Sequence, residues 1–336
     1  MMQTQSRLAN FRQKMKNILP GLILCAAITG LAKVGADYSG MPVMLLALIM
    51  GLITHFAVKG KAFKAGIQTS SKRILKVGVI LLGARIMFSD VVALGITPLV
   101  ITIISCVAVI GLSIHIAKRM KCDQSLGILV GGATAICGAS AALAISTLLP
   151  KNKNLEKNTL FAVIGATAIG TCAMIFYPVI LQWVELDARQ AGFLIGGTIH
   201  DVSQVVGAGY SVSDEVGDQA ILVKLTRVFM LVPVIFFFMH YNKKDAQNTD
   251  KPDFPYFLIA FAVLVTVNSL GIIPSEVTAM MAQASKWALV MGLTAVGMKT
   301  SLAGLFSLGW KPFILLLADT AVISGIYILT LMLGLH

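Results

Sequence analysis

The sequence predicts an all-α polytopic membrane protein of about nine to eleven transmembrane helices, with inverted repeats and two broken or re-entrant helices. Three observations carry that prediction. The chain is 57% hydrophobic and 12% charged, against about 45–50% and about 25% in a soluble domain, and its mean hydropathy is +0.85. The apolar residues fall in long runs, and a span needs about 20 of them. Lys and Arg gather in short connections between the runs, the positive-inside pattern. A soluble enzyme, a disordered chain and a disulfide scaffold are excluded. The net charge of +12 is membrane topology here rather than a nucleic-acid surface.

The first apolar run covers residues 18–35. Arg7, Arg12, Lys14 and Lys16 precede it, as in a signal peptide. No small-x-small cleavage site follows cleanly, and Leu22–Cys25 lacks the small residue of a lipoprotein box. The run is therefore read as a retained span with a cytoplasmic N-terminus. Runs 41–58, 73–94 and 97–117 follow. The connection 59–76 carries Lys59, Lys61, Lys64, Lys72, Arg73 and Lys76, and 118–124 carries Lys118, Arg119 and Lys121, so both belong in the cytoplasm.

Segment 125–149 is followed by a basic connection with Lys151, Lys153 and Lys157. A full crossing would put that connection outside, whereas a re-entrant hairpin keeps it inside. After 158–184, segment 188–210 reads by the same logic as a hairpin entering from outside, with two broken full spans as the alternative. The acidic connection with Asp214, Glu215 and Asp218 fits outside. Runs 219–239, 255–273, 280–298 and 310–334 complete the chain, read as a single integral membrane unit over residues 1–336. The longest internal polar stretch, 240–254 with Lys243, Lys244, Asp245 and Lys251, is too short for a nucleotide-binding domain. GxxxxGK[ST] is absent, so a pump driven directly by ATP is not expected. Cys25, Cys106, Cys122, Cys137 and Cys172 form no CxxC pair, so neither a disulfide framework nor a zinc site is suggested. No metal or cofactor is expected.

Two internal repeats stand out. Gly127–Ala133 (GILVGGA) matches Gly192–Thr198 (GFLIGGT) at an offset of 65, and polar residues follow each copy. GxxxG brings helices together. Gly-Gly followed by polar residues also suits an unwound midpoint, where freed backbone groups need partners. The second repeat spans 73–98 and 287–312: Gly83-Ala-Arg85 with Leu94-Gly95-x-x-Pro98 matches Gly297-Met-Lys299 with Leu308-Gly309-x-x-Pro312 at an offset of 214. An odd number of crossings separates the copies, so they run in opposite orientation, as in secondary transporters with midplane sites.

GGATAICGASAALA (131–144) and GGTIHDVSQVVGAG (196–209), together with the GxR…LGxxP and GxK…LGxxP segments, resemble the bacterial YeiH family of inner-membrane proteins, described as sulfate exporters. The resemblance covers nearly the whole chain. That family is grouped with inverted-repeat transporters that include sodium/proton antiporters, bile-acid symporters and citrate symporters. The resemblance implies a core and a scaffold domain, elevator-like motion, a homodimer and an inorganic or organic anion as substrate.

The residues themselves suggest where an anion would sit. A break at Gly138 lets a half-helix begin near Ser140, and a break near Thr198–His200 lets another begin after Asp201. Helix N-termini attract anions. The expected substrate-binding set is Gly131, Gly132, Thr134, Cys137, Gly138, Ser140, Thr198, Ser203, Gln204 and Arg227. Arg227 lies roughly 12 Å into its segment, deep enough to pair with an acid or a substrate. His200 and Asp201 are the candidate proton-coupling pair, with H+ or Na+ as the coupling ion. The plain alternative makes Asp201 a helix cap. Arg85, Lys224 and Lys299 are secondary candidates, and snorkelling explains Lys224 as well. His55 and His115 read as interfacial. Asp319 and Asn268 read as polar residues pairing with another helix.

The leading function is thus a secondary transporter for a small anion. An ion channel would share the broken helices but needs a continuous water path. Gly138-Ala-Ser140-Ala approaches the GxSG of intramembrane serine proteases, with His200 as base; its second glycine is missing, and no enzyme is expected.

Overall fold

The computed structural model describes residues 2–55, 61–150, 152–241, 256–299 and 310–335. Lys59, Lys151, Lys243, Lys244, Asp245, Lys251 and the Leu308-Gly309 copy of the longer repeat lie outside them. All regular structure among the described residues is helical, as lipid requires of an open chain. In chain order the helices are α1 (Met2–Ser39), α2 (Val43–His55), α3 (Lys61–Thr69), α4 (Leu75–Leu82), α5 (Phe88–Ala93), α6 (Thr97–Arg119), α7 (Gln124–Ala135) and α8 (Ala139–Ser146). Then come α9 (Leu155–Leu181), α10 (Ala188–Thr198), α11 (Val202–Val212), α12 (Asp214–Phe229), α13 (Leu231–Tyr241), α14 (Tyr256–Ser269), α15 (Ser275–Lys299) and α16 (Trp310–Met332). Among the described residues, five stretches are long and apolar enough to cross a bilayer: Lys16–Ser39, Thr97–Arg119, Leu155–Leu181, Asp214–His240 and Trp310–Met332.

The chain forms two compact units: Met1–Phe88 with Ile259–Thr300, and Ser89–Leu258 with Ser301–His336. The first packs α2 and α4 on α15. Small residues set the approach, as expected where lipid offers no hydrophobic force between helices. Gly78 lies against Leu289, and Gly292 lies against Leu75. Each partner is the counterpart of the other at the 214-residue offset. Thr29 and Thr294 hydroxyls meet at 3.1 Å, and Ser285 Oγ donates to the Gly78 carbonyl at 2.7 Å. Asn268 donates to the Ile86 carbonyl at 3.3 Å, in the connection between α4 and α5 rather than on another helix. Arg85 and Lys299 belong to this unit and are exposed.

The second unit holds both suspect segments, and both are hairpins. An unbroken helix would carry residue 145 about 20 Å from residue 132. Instead, a Cβ on Gly132 would fall 2.3 Å from Ile145 Cδ1, so α8 folds back along α7. Likewise a Cβ on Gly196 would lie 2.2 Å from the Ala220 carbonyl, and one on Gly209 would lie 3.3 Å from Ala220 Cβ. The arms α10 and α11 therefore both pack on α12. Helix starts are marked by acids and hydroxyls. Asp123 accepts from Ser125 N–H at 2.9 Å, Asp187 builds a capping box with Gln190, and Ser213 caps α12. Hydrogen bonds from the Ser125 side chain and backbone hold the Asp123 carboxyl below the usual carboxylate range. Asp214 and Glu215 occupy the first turn of α12, where the dipole favours acids.

Candidate functional site

The first hairpin turns at Ile136–Gly138 and the second at Ile199–Asp201. Gly138 has φ +62° and ψ −129°, a conformation that side chains strain against. A Cβ there would lie 3.7 Å from Asp201 Cβ and from the His200 carbonyl, so the two tips touch. Gly138→Ala is expected to cost about 1–3 kcal/mol through backbone strain. Melting of the detergent-purified protein checks this, with Gly325→Ala, which meets nothing within 4 Å, as the unaffected control.

The last carbonyls of α7 and α10 have no intrahelical donors. Two cations of α12 supply them. Lys224 and Arg227, both 0% exposed, sit three residues apart on one face. Lys224 Nζ donates to the Ile136 carbonyl at 2.9 Å and to the Ile199 carbonyl at 2.8 Å, one from each tip. Arg227 donates through Nε to Ala135 (3.0 Å), through Nη1 to Gly197 (2.7 Å) and Ile199 (3.1 Å), and through Nη2 to Thr134. Cations at helix C-termini are also favoured by the dipole. The positive wall expected at Arg227 is thus largely a clamp on backbone. With five and three donors available, Arg227 and Lys224 each keep one N–H without a hydrogen bond among the described residues.

The N-terminal arms differ. No side chain caps α8; its Ala139 is half-buried and Ser140 is exposed. In α11, Asp201 Oδ1 accepts from Ser203 N–H at 2.9 Å and Ser203 Oγ at 2.5 Å. Gln204 Oε1 accepts from Asp201 N–H at 3.2 Å. Gln204 Nε2 donates to the Thr167 carbonyl at 2.8 Å and Thr171 Oγ1 at 3.2 Å on α9. Asp201 therefore caps.

His200, 1% exposed, turns elsewhere. Its Nε2 lies 3.0 Å from Thr320 Oγ1. The Thr320 hydroxyl already donates to the Leu316 carbonyl at 2.7 Å, so Nε2–H is the donor, an inference from the network. Nδ1 has no partner among the described residues. His200 and Asp201, expected as a proton-coupling pair, are each held by separate partners, Thr320 for one and Ser203 for the other.

The other expected site residues divide three ways. Cys137 and Gly138 form the first tip, and Ser140 opens from it. Gly131, Gly132 and Thr134 remain inside α7 rather than in an unwound stretch: Gly131 lies against Ser113, Gly132 against Ile145, and the Thr134 hydroxyl has no partner among the described residues. Thr198 donates to the Leu194 carbonyl at 2.6 Å and Ser203 to Asp201, so neither hydroxyl is a free donor. Asp319 of α16 is expected from sequence only to pair with another helix. It is 0% exposed, and neither carboxylate oxygen has a hydrogen-bond partner among the described residues. Its being the one acid in run 310–334 is the signal that points to it.

A family described as "Conserved hypothetical protein 698" matches residues 20–316. The chain is 42% identical over 327 residues to a UPF0324 membrane protein of Chlorobaculum tepidum, covering 96% of this chain and 90% of the relative. It is 38% identical over 311 residues to the UPF0324 membrane protein TauZ of Paracoccus denitrificans, covering 91% and 92%. It is 30% identical over 332 residues to the UPF0324 inner membrane protein YeiH of Salmonella typhi, covering 94% of each. No solved structure matches the chain.

Proposed function

The chain belongs to the UPF0324 family of membrane proteins, and we propose that it is a secondary transporter moving a small anion across the bacterial inner membrane. The observation that carries this reading is the meeting of two hairpin tips over two fully buried cations in an apolar helical unit. Each helix C-terminus supplies roughly half a negative charge. Two such ends offset about one of the two cationic charges, and Asp201 is itself set against the positive end of α11. An excess of about one positive charge remains at the tips.

The anion sits at the uncapped N-terminus of α8, where free N–H groups and Ser140 face outward. The N-terminus of α11, closed by Asp201, leaves a cradle with one helix end rather than two. The substrate class is a sulfate-like oxyanion or an organic acid. Reciprocal packing of Gly78 on Leu289 and Gly292 on Leu75 supports the inverted-repeat reading. The protein works as a homodimer with a cytoplasmic N-terminus, and the unit that holds both hairpins moves as an elevator.

Proteoliposomes test this with labelled sulfate, sulfite, sulfonates and dicarboxylates. Saturable uptake, accelerated by anion on the opposite side, is the expected result for at least one of them. Ser140→Val is expected to raise the half-saturation concentration about fivefold, the worth of one hydrogen bond. A conductance that does not saturate, or no uptake of any of these anions, refutes the transporter.

A further inference from the structure

Asp319 stands about 14 Å from one end of α16 and about 20 Å from the other, deep in a helix long enough to span. It is fully buried with both oxygens unpartnered among the described residues. An ionised carboxylate left so is expensive in an apolar medium, and intramembrane acids mark ion pathways.

Among the described residues, the helices packed on α16 bring it no counter-charge. Between residues 124 and 135, α7 has no titratable side chain. Arg189 of α10 is drawn to the Leu94 carbonyl at 3.3 Å. Tyr177 of α9 pairs with Ser324 at 3.4 Å. His115, Lys118 and Arg119 of α6 are not buried, and its buried Cys106 lies toward Tyr327. Arg227 also acts on Tyr327, two turns further along α16, and is committed to carbonyls. What α6 does bring is Ser113, beside Asp319, packed on Gly131 of α7, its hydroxyl also without a formed hydrogen bond among the described residues. The next residue, Thr320, holds His200 of the second tip at 3.0 Å.

We propose that Asp319 is the proton-binding group of this protein, with Ser113 as its hydroxyl partner and the Thr320–His200 bond as its link to the second hairpin tip. Proton binding removes a charge that no cation among the described residues pairs; proton loss restores it one residue from the group that anchors the tip. As the coupling site, the assignment rests on the transporter reading, but the buried proton site itself does not.

Dicyclohexylcarbodiimide, which enters apolar phases and modifies protonated carboxyls, tests the site directly. Peptide mass spectrometry of the wild-type protein is expected to find the adduct on Asp319 in acid and to see it decline in alkali. No adduct at any pH overturns the assignment, whether or not an anion is carried. Protection by sodium at fixed pH overturns it too, in favour of a cation site. In proteoliposomes loaded with a pH dye, wild-type anion uptake is expected to move protons, and Asp319→Asn to lose that signal to background. Wild-type proton movement in folded Asp319→Asn overturns the proposal. Wild-type anion uptake without proton movement overturns the coupling and leaves the transporter standing. The adduct without any anion uptake upholds the proton site and overturns the transporter.

Discussion

Arg227→Met is expected to yield little monodisperse protein in detergent, and what survives is expected to melt far below wild type. Methionine keeps much of the length and apolar stem but strips donors from the Thr134, Ala135, Gly197 and Ile199 carbonyls. A buried acceptor left unpaired costs about 1–3 kcal/mol. Of the four, only Ile199 keeps another donor among the described residues, Lys224. Three orphaned carbonyls at two adjoining helix ends approach the whole stability of an ordinary domain, about 5–15 kcal/mol. Lys224→Met orphans Ile136 alone, because Arg227 still reaches Ile199. The expected order of melting temperature is therefore wild type, then Lys224→Met, then Arg227→Met. Thermal unfolding followed by size exclusion reads it, and Arg227→Met melting with wild type would refute the clamp.

The helical membrane class was legible because each span needs its own apolar run, and the runs are there. The hairpins were legible through one basic connection: Lys153 and Lys157 would stand on the wrong side after a full crossing. The tips fall inside the motifs that pointed to them, yet Gly131, Gly132, Gly196 and Gly197 stay helical. Their missing side chains admit Ser113, Ile145, Ala220 and Tyr327, and such approaches depend on distant segments that local sequence does not name. For Arg227 the depth was readable but not the partners, which are carbonyls 28 to 93 positions away. Asp201 offered a cap and a proton site equally; that the cap forms depends on where Gln204 reaches back to it. Asp319 looked like an ordinary interhelical pair; that no hydrogen bond to it forms among the described residues is a property of packing alone.

Gly197→Ala is expected to be the most damaging conservative change in the second hairpin. A Cβ there would fall 1.9 Å from Tyr327 Cε1, 2.1 Å from Cδ1 and 2.5 Å from Cζ. Neither side yields easily. The Tyr327 ring is 0% exposed, its centroid lies 4.8 Å from that of Phe193, and its hydroxyl meets Thr102 Oγ1 at 3.1 Å. The Gly197 carbonyl is held by Arg227 at 2.7 Å. Overpacking costs about 1–3 kcal/mol in a core that can adjust, and here relief means pulling α10 from α16 and the carbonyl off the clamp. The loss belongs at or above the top of that range. Tyr327→Leu alone leaves a cavity and also destabilises. In the double variant the new methyl occupies the vacated space, so its loss is expected to fall short of the sum of the singles by about 1 kcal/mol or more. Purely additive losses in denaturant unfolding would mean that Gly197 and Tyr327 do not meet, and the second hairpin would need another anchor.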